Sequence, residues 1–196
     1  MKNLLILASL LFIGSLALSS CSRSVKRIDV DEQRDLSGRW NDTDSRLTAE
    51  EITDEALMGD WLSAFRDRNR GEKPTVIVGF VLNKSHEHID AETFVKDIEK
   101  SFIGSNRVRL VQGGKKREEL RAERADQQEN SSRSTMKRWG MEIGADYIMQ
   151  GSINSIVDAY RKQKVVYYQI DLELTDMETN EIVWIGDKKI KKYIKN

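Results

Sequence analysis

Three residue types are nearly missing from this chain: 196 residues hold one cysteine, one proline and two histidines. A lone cysteine excludes an internal disulfide, so the core must hold by packing alone. Two histidines and that cysteine fall short of an ordinary four-ligand zinc centre. Their one cluster, His86-Glu87-His88 with Asp90, reads as a polar loop followed by an aspartate helix cap. No metal is therefore expected. The single proline, Pro74, excludes a Pro-rich linker. An excess of either charge is missing too, with 32 Lys+Arg against 32 Asp+Glu. Nucleic-acid binders show a basic excess, so no nucleic-acid partner is expected.

Signs of catalysis are missing as well. A serine nucleophile needs a histidine to activate it, and neither histidine sits in such a motif. Gly113-Gly114-Lys115 looks like part of a phosphate loop. That motif requires a glycine five positions before the second and a Ser or Thr after the lysine, where this chain has Arg109 and Lys116. Asn41-Asp42-Thr43-Asp44-Ser45 lacks the glycine and closing glutamate of a calcium loop and reads as turn and cap chemistry. No catalytic residue and no cofactor are assigned, and an enzyme is not expected.

The most informative segment is the N-terminus. Met1-Lys2-Asn3 is a short positive region, and Leu4 to Leu18 is apolar apart from Ser9, Gly14 and Ser15. That run suits the roughly 7–15 apolar residues of a signal peptide better than the about 20 of a membrane span. It ends in Leu18-Ser19-Ser20-Cys21, a lipobox pattern. We expect residues 1–20 to be removed and Cys21 to carry the lipid that holds the chain on a membrane. Ser22, in place of an aspartate, points to the outer membrane, with the domain facing the periplasm. Lys2 leaves with the signal peptide, so the mature chain keeps 31 basic and 32 acidic residues, a net charge of −1.

Residues 21–46 read as a lipidated tether and linker, the second half packing through Trp40, and 47–196 as one globular domain. A helix is expected from Thr48, with Thr48 and Glu51 as a capping box, running to Gly71 and Pro74. Thr75 to Leu82 is a near-continuous apolar run and reads as a buried strand. Asp90 caps a helix that turns inward Phe94, Val95, Ile98 and Phe102. Gly104-Ser105-Asn106 then leads to a short strand, Val108 to Val111. Ten of the fifteen positions 115–129 are charged, so a helix there would lie on the surface. A further amphipathic helix is expected from Ser132, with Met136, Trp139 and Ile143 inward. Strands Tyr147 to Val157, Val165 to Thr175 and Ile182 to Ile190 complete a meander, with period-two alternation in the second and Asn180 suited to positive φ in the turn before the third. Lys188, Lys189, Lys191, Lys192 and Lys195 form a basic tail that either guards an edge strand or faces anionic lipid or a partner. The fold class is α+β: a small, mostly antiparallel or mixed sheet of about four to five strands, flanked by three to four helices.

Four segments resemble the penicillin-binding-protein activator lipoproteins, the LpoB family. They are Ser37-Gly38-Arg39-Trp40-Asn41-Asp42-Thr43-Asp44-Ser45-Arg46, Asn83 to Asp90, Gly144-Ala145-Asp146-Tyr147-Ile148, and Asp171 to Thr175 leading to Glu181-Ile182-Val183-Trp184-Ile185-Gly186. The last two also occur in envelope lipoproteins of the CsgG and TolB N-terminal type. The resemblance implies an outer-membrane lipoprotein that binds a class A penicillin-binding protein and stimulates glycan polymerisation and crosslinking without chemistry of its own. Arg39, Trp40, Asn83, His86 and His88 are the candidate partner-binding residues. The best-known form of the family carries a long Pro-rich tether, and this chain has a short one. The alternative is a CsgG-like assembly or secretion lipoprotein.

Overall fold

The computed structural model describes residues 24–30, 32–130 and 143–195, the side chains of 127–130 excepted. The signal peptide, Cys21 and most of the helix expected from Ser132, with Met136 and Trp139, lie outside the described residues. Residues Gln33–Asn196 cluster as one compact unit.

Among the described residues, four helices, α1 (Asp42–Met58), α2 (Asp60–Arg68), α3 (Ala91–Ser105) and α4 (Gly114–Asn130), accompany five strands, β1 (Thr75–Lys84), β2 (Arg109–Leu110), β3 (Tyr147–Tyr160), β4 (Gln163–Asp176) and β5 (Ile182–Lys195). The sheet order is β2-β1-β3-β4-β5. β1 pairs parallel with both neighbours, and β3, β4 and β5 pair antiparallel. The α+β class is as expected, and the sheet is mixed. β1 is flanked on both edges; α3 packs on it, Val76 and Val78 join the core cluster, and Ile77 on the other face lies against Gly113, so Thr75 to Val78 are all buried. In β4, Val166, Tyr168, Ile170, Leu172 and Leu174 point into the core, and alternate residues point away. They meet Ile52 and Ala56 of α1 and Phe94, Ile98 and Phe102 of α3 in one apolar cluster.

The first helix differs from the sequence reading in two ways. It begins at Asp42, inside the segment expected to be linker. Its cap is Asn41: the Asn41 side chain accepts from the Asp44 N–H at 3.0 Å, and the Asp44 carboxylate accepts from the Asn41 N–H at 2.9 Å. Thr48, the expected cap, is buried in mid-helix. The face that α1 buries starts with Thr43, Ser45 and Thr48, small side chains that allow close packing and leave no apolar period to read. The helix also breaks at Gly59 (φ −64°, ψ 150°). There the Trp61 indole N–H donates to the Ala56 carbonyl at 2.6 Å, satisfying a helix-end acceptor.

Ile143, expected inward on a helix, lies outside any helix and is 53% exposed; elsewhere agreement is close. Asp90 caps α3 through the Glu92 N–H at 3.0 Å. Asn106 and Asn180 take positive φ, 53° and 59°, at turns where asparagine tolerates that geometry. The charged stretch from 115 is helical as α4, and its Leu120 is 46% exposed. Gly151 has no room for a side chain, since a Cβ there would lie 2.0 Å from the Asp171 carbonyl oxygen.

Candidate functional site

The loop between β1 and α3 is organised by Asn83. Its amide donates to the Glu87 carbonyl at 2.8 Å and to the Ile89 carbonyl at 3.3 Å. Its oxygen accepts from the Ser85 N–H at 2.9 Å and the Ser85 hydroxyl at 2.7 Å. Asn83 therefore braces the loop from within, and little of its polar capacity is left for a partner.

His86 stands at the loop tip, exposed. Its backbone N–H donates to Ser155 Oγ at 3.0 Å, and its Nδ1 lies 2.7 Å from the same oxygen. That hydroxyl accepts from the backbone N–H and also meets the ring, tying the loop tip to β3. Nε2 faces Glu87 Oε1 at 3.2 Å. The imidazole stacks on Tyr168, centroids 6.4 Å apart.

Glu87 is the residue that sequence reasoning passed over. Its side chain is only 9% exposed, and Oε2 accepts from the Trp40 N–H at 3.1 Å. This one carboxylate fastens the segment before α1 to a loop forty-seven positions away in sequence. Trp40 packs edge-on against Phe94 (6.1 Å) and Tyr168 (5.6 Å). Burial pushes the Tyr168 phenol far above its ordinary pKa, and the nearby Glu87 carboxylate pushes the same way. Glu87 belongs to the Asn83–Asp90 motif, and that membership was the only signal the sequence offered for it.

A second tie comes from the basic tail. Lys192 Nζ reaches Asp35 Oδ1 at 2.7 Å, Asp44 Oδ2 at 2.6 Å and the Arg39 carbonyl at 3.0 Å. Burial disfavours this ammonium, yet the two carboxylates outweigh burial and raise its pKa. Contact with Lys192 lowers the pKa of Asp35. Lys188 pairs with Glu51 on α1. The tail thus divides: Lys188 and Lys192 turn inward to ion pairs, and Lys189, Lys191 and Lys195 turn outward.

Of the five candidates, Trp40, Asn83 and His86 are thus joined in one assembly through Glu87 and Tyr168. Arg39 follows directly on the strap held by Lys192, its side chain exposed, and His88 is exposed two residues beyond His86. Among the described residues, no three His, Cys, Asp or Glu side chains converge as metal ligands. A separate groove of ≈530 Å³ lies between β1, α3 and the start of α4, and its lining contains no histidine, cysteine or serine. The arrangement offers a braced surface with polar tips over an aromatic base.

The structure is similar to the LpoB C-terminal domain from Salmonella enterica at 16% identity, covering 76% of this chain and 99% of that one, with a TM-score of 0.44. The corresponding Escherichia coli domain gives 16%, 76%, 99% and 0.43. Lipoprotein GNA1162 from Neisseria meningitidis gives 11%, 61%, 83% and 0.40. No curated protein matches the chain. The family model described as peptidoglycan-synthase activator LpoB matches residues 44–190, 147 of the 196 positions. By that match the chain belongs to the LpoB family of peptidoglycan-synthase activators.

Proposed function

We propose that this protein activates a class A penicillin-binding protein by docking the face made by Arg39, Trp40 and the loop from Asn83 to Ile89. The observation that carries the reading is the family match across the domain, joined to a site whose two sequence-distant halves meet at Glu87. The protein performs no chemistry in this reading. It binds the synthase's active state more tightly than its resting state, since a ligand shifts an equilibrium only by that preference. Arg39, His86 and His88 supply donors to an acidic or carbonyl-rich partner surface, and Trp40 fixes the backbone beneath them.

In the same reading Cys21 carries the lipid, and the domain faces the periplasm from the outer membrane. Eleven residues, twelve Cα–Cα steps, lie between Cys21 and Gln33, where the compact unit begins. Fully extended, they reach on the order of 40 Å. The synthase must therefore bring its docking region out to the activator.

The test is glycan polymerisation by each class A synthase of the source organism, with and without the mature chain carrying Cys21→Ser. A saturable rate increase with one synthase is expected. Arg39→Ala and His86→Ala should raise the half-saturating concentration, each by about tenfold for a loss near 1.4 kcal/mol. No stimulation of any otherwise active synthase would remove the function and leave the fold and family standing.

A further inference from the structure

The far end of the meander is unlike the rest of the surface. From Ile156 onward every residue of β3 is exposed. Ile156 is 67% exposed, Tyr160 69% and Tyr193 61%. In the register, Ile156 lies opposite Tyr167, and Val165 opposite Tyr193. Directly opposed residues share a face, so these four form one apolar strip on the side away from α1 and α3. Tyr160 closes the strip at the hairpin, with the Arg161 guanidinium 5.1 Å from its ring centroid.

Cations rim this strip. Lys191 and Lys195 stand on its own face, Arg161 and Lys162 in the hairpin beyond it and Lys164 on the reverse face, while Asp158, opposite Val165, is the one carboxylate on these stretches. None of the five cations forms an ion pair with another described residue. A chain balanced overall at 32 charges of each sign thus carries a local excess at one end. Lysines on an edge strand guard against sheet-to-sheet pairing, which would account for Lys189 and Lys191. Edge protection does not account for bare Ile156, Tyr160 and Tyr193 beside them.

The segment before α1 meets the same end of the meander. Gly38, at φ +66°, sits against Ile194, whose strand partner is Lys164. Lys192 holds Asp35 and the Arg39 carbonyl at the same end. The N-terminal segment therefore meets the domain at this end of the meander, on the sheet face opposite the strip, and leaves the strip itself uncovered. We propose that this end of the meander docks on an anionic phospholipid surface, with Tyr160 and Tyr193 at headgroup depth and the lysines on lipid phosphates. Tyrosine favours that interface, and basic side chains gain there from the negative leaflet. The inference goes beyond synthase activation and does not depend on it.

The test is co-sedimentation of the mature Cys21→Ser chain with vesicles of phosphatidylcholine alone or with phosphatidylglycerol added. Binding should appear only with the anionic lipid and fall as salt is raised. Each lysine is worth about fivefold in partition, so Lys162→Gln, Lys191→Gln and Lys195→Gln together should weaken binding about 10²-fold. Tyr160→Ser with Tyr193→Ser should also weaken it. The charge-matched set Lys100→Gln, Arg107→Gln and Lys115→Gln, all exposed elsewhere, should leave most of it. Every substituted side chain is exposed, and thermal melting checks that each variant stays folded. Equal partition to neutral and anionic vesicles would overturn the proposal. So would equal losses in the two charge sets, or patch variants that lose synthase stimulation when the parent chain binds no vesicle.

Discussion

Replacing Lys192 with methionine keeps most of the side-chain volume and removes the cation that straps the N-terminal segment to β5. The Lys192 and Asp44 side chains are each 11% exposed. A charge-assisted hydrogen bond in such a setting contributes about 2 kcal/mol. Asp35 is 40% exposed, so solvent screens its pair and about 0.5 kcal/mol is a fair share. The Arg39 carbonyl loses its donor but can turn to water. Lys192→Met should therefore cost about 2.5 kcal/mol. For a domain of this size each kcal/mol moves Tm by about 2–4 °C, which predicts a fall of about 5–10 °C. Lys191→Met, one residue away and facing outward, is the control and should move Tm little. The pH dependence has a definite sign. Asp35 has a lowered folded pKa, so its share is present above the unfolded value near 3.9 and is lost as pH falls through the folded one. Lys192 has a raised folded pKa, so its share is full below about 10.4 and is lost as pH rises through the folded value. The gap between parent and variant should be level across neutral pH and narrow at both extremes. The reasoning fails if Lys192→Met melts within about 2 °C of the parent or no lower than Lys191→Met.

Glu87→Ala leaves the Trp40 N–H without its acceptor and should cost about 2 kcal/mol in urea unfolding, with a matching rise in half-saturation of the synthase. A variant that lost stability but kept full stimulation would place the docking surface elsewhere. Gly151→Ala forces a Cβ against the Asp171 carbonyl and should cost about 3 kcal/mol, read as a lower urea midpoint, because only separation of β3 from β4 relieves the clash. Asp176 accepts from the Glu178 and Thr179 N–H groups at 2.9 and 3.0 Å, and those bonds lower its pKa. Asp176→Ala should lower stability by about 1 kcal/mol at neutral pH, and the difference from the parent should fade as pH drops through the Asp176 pKa.

How much of this was legible depended on whether the signal was local. β4 announced itself because Tyr168, Ile170, Leu172 and Leu174 alternate with Gln169, Asp171 and Glu173. Asp90 and Asn180 were readable because each acts within a residue or two of itself. The start of α1 was not readable, because its buried face begins with threonine and serine and its capping pair is Asn41–Asp44. Thr48 to Glu51 satisfied the commoner capping pattern, yet tertiary packing put Thr48 in the core. At the site, the two motifs were visible separately, but their union was not. Glu87 meets Trp40 across forty-seven positions, and Lys192 meets Asp35 across 157. No periodicity reports a contact of that range. Only the alternation within β5 divides inward Lys192 from outward Lys191.

These ties bear on what an activator must do. A flexible surface pays an ordering cost on binding and can reshape itself to fit either state of the partner. A surface fixed beforehand keeps its full interaction energy for telling one state from another. Here the loop is bonded internally through Asn83, pinned to β3 through Ser155 and joined to the N-terminal segment through Glu87, which is itself strapped by Lys192. Loosening any one tie should therefore act twice, lowering the stability of the domain and the selectivity of the face, even where no bond to the partner is touched. Arg39, a partner contact only in the proposed docking, should then act only on the second. Comparing Lys192→Met with Arg39→Ala by both melting and synthase stimulation separates the two roles. If Lys192→Met melts lower but stimulates like the parent, rigidity of this face is not what the activator uses.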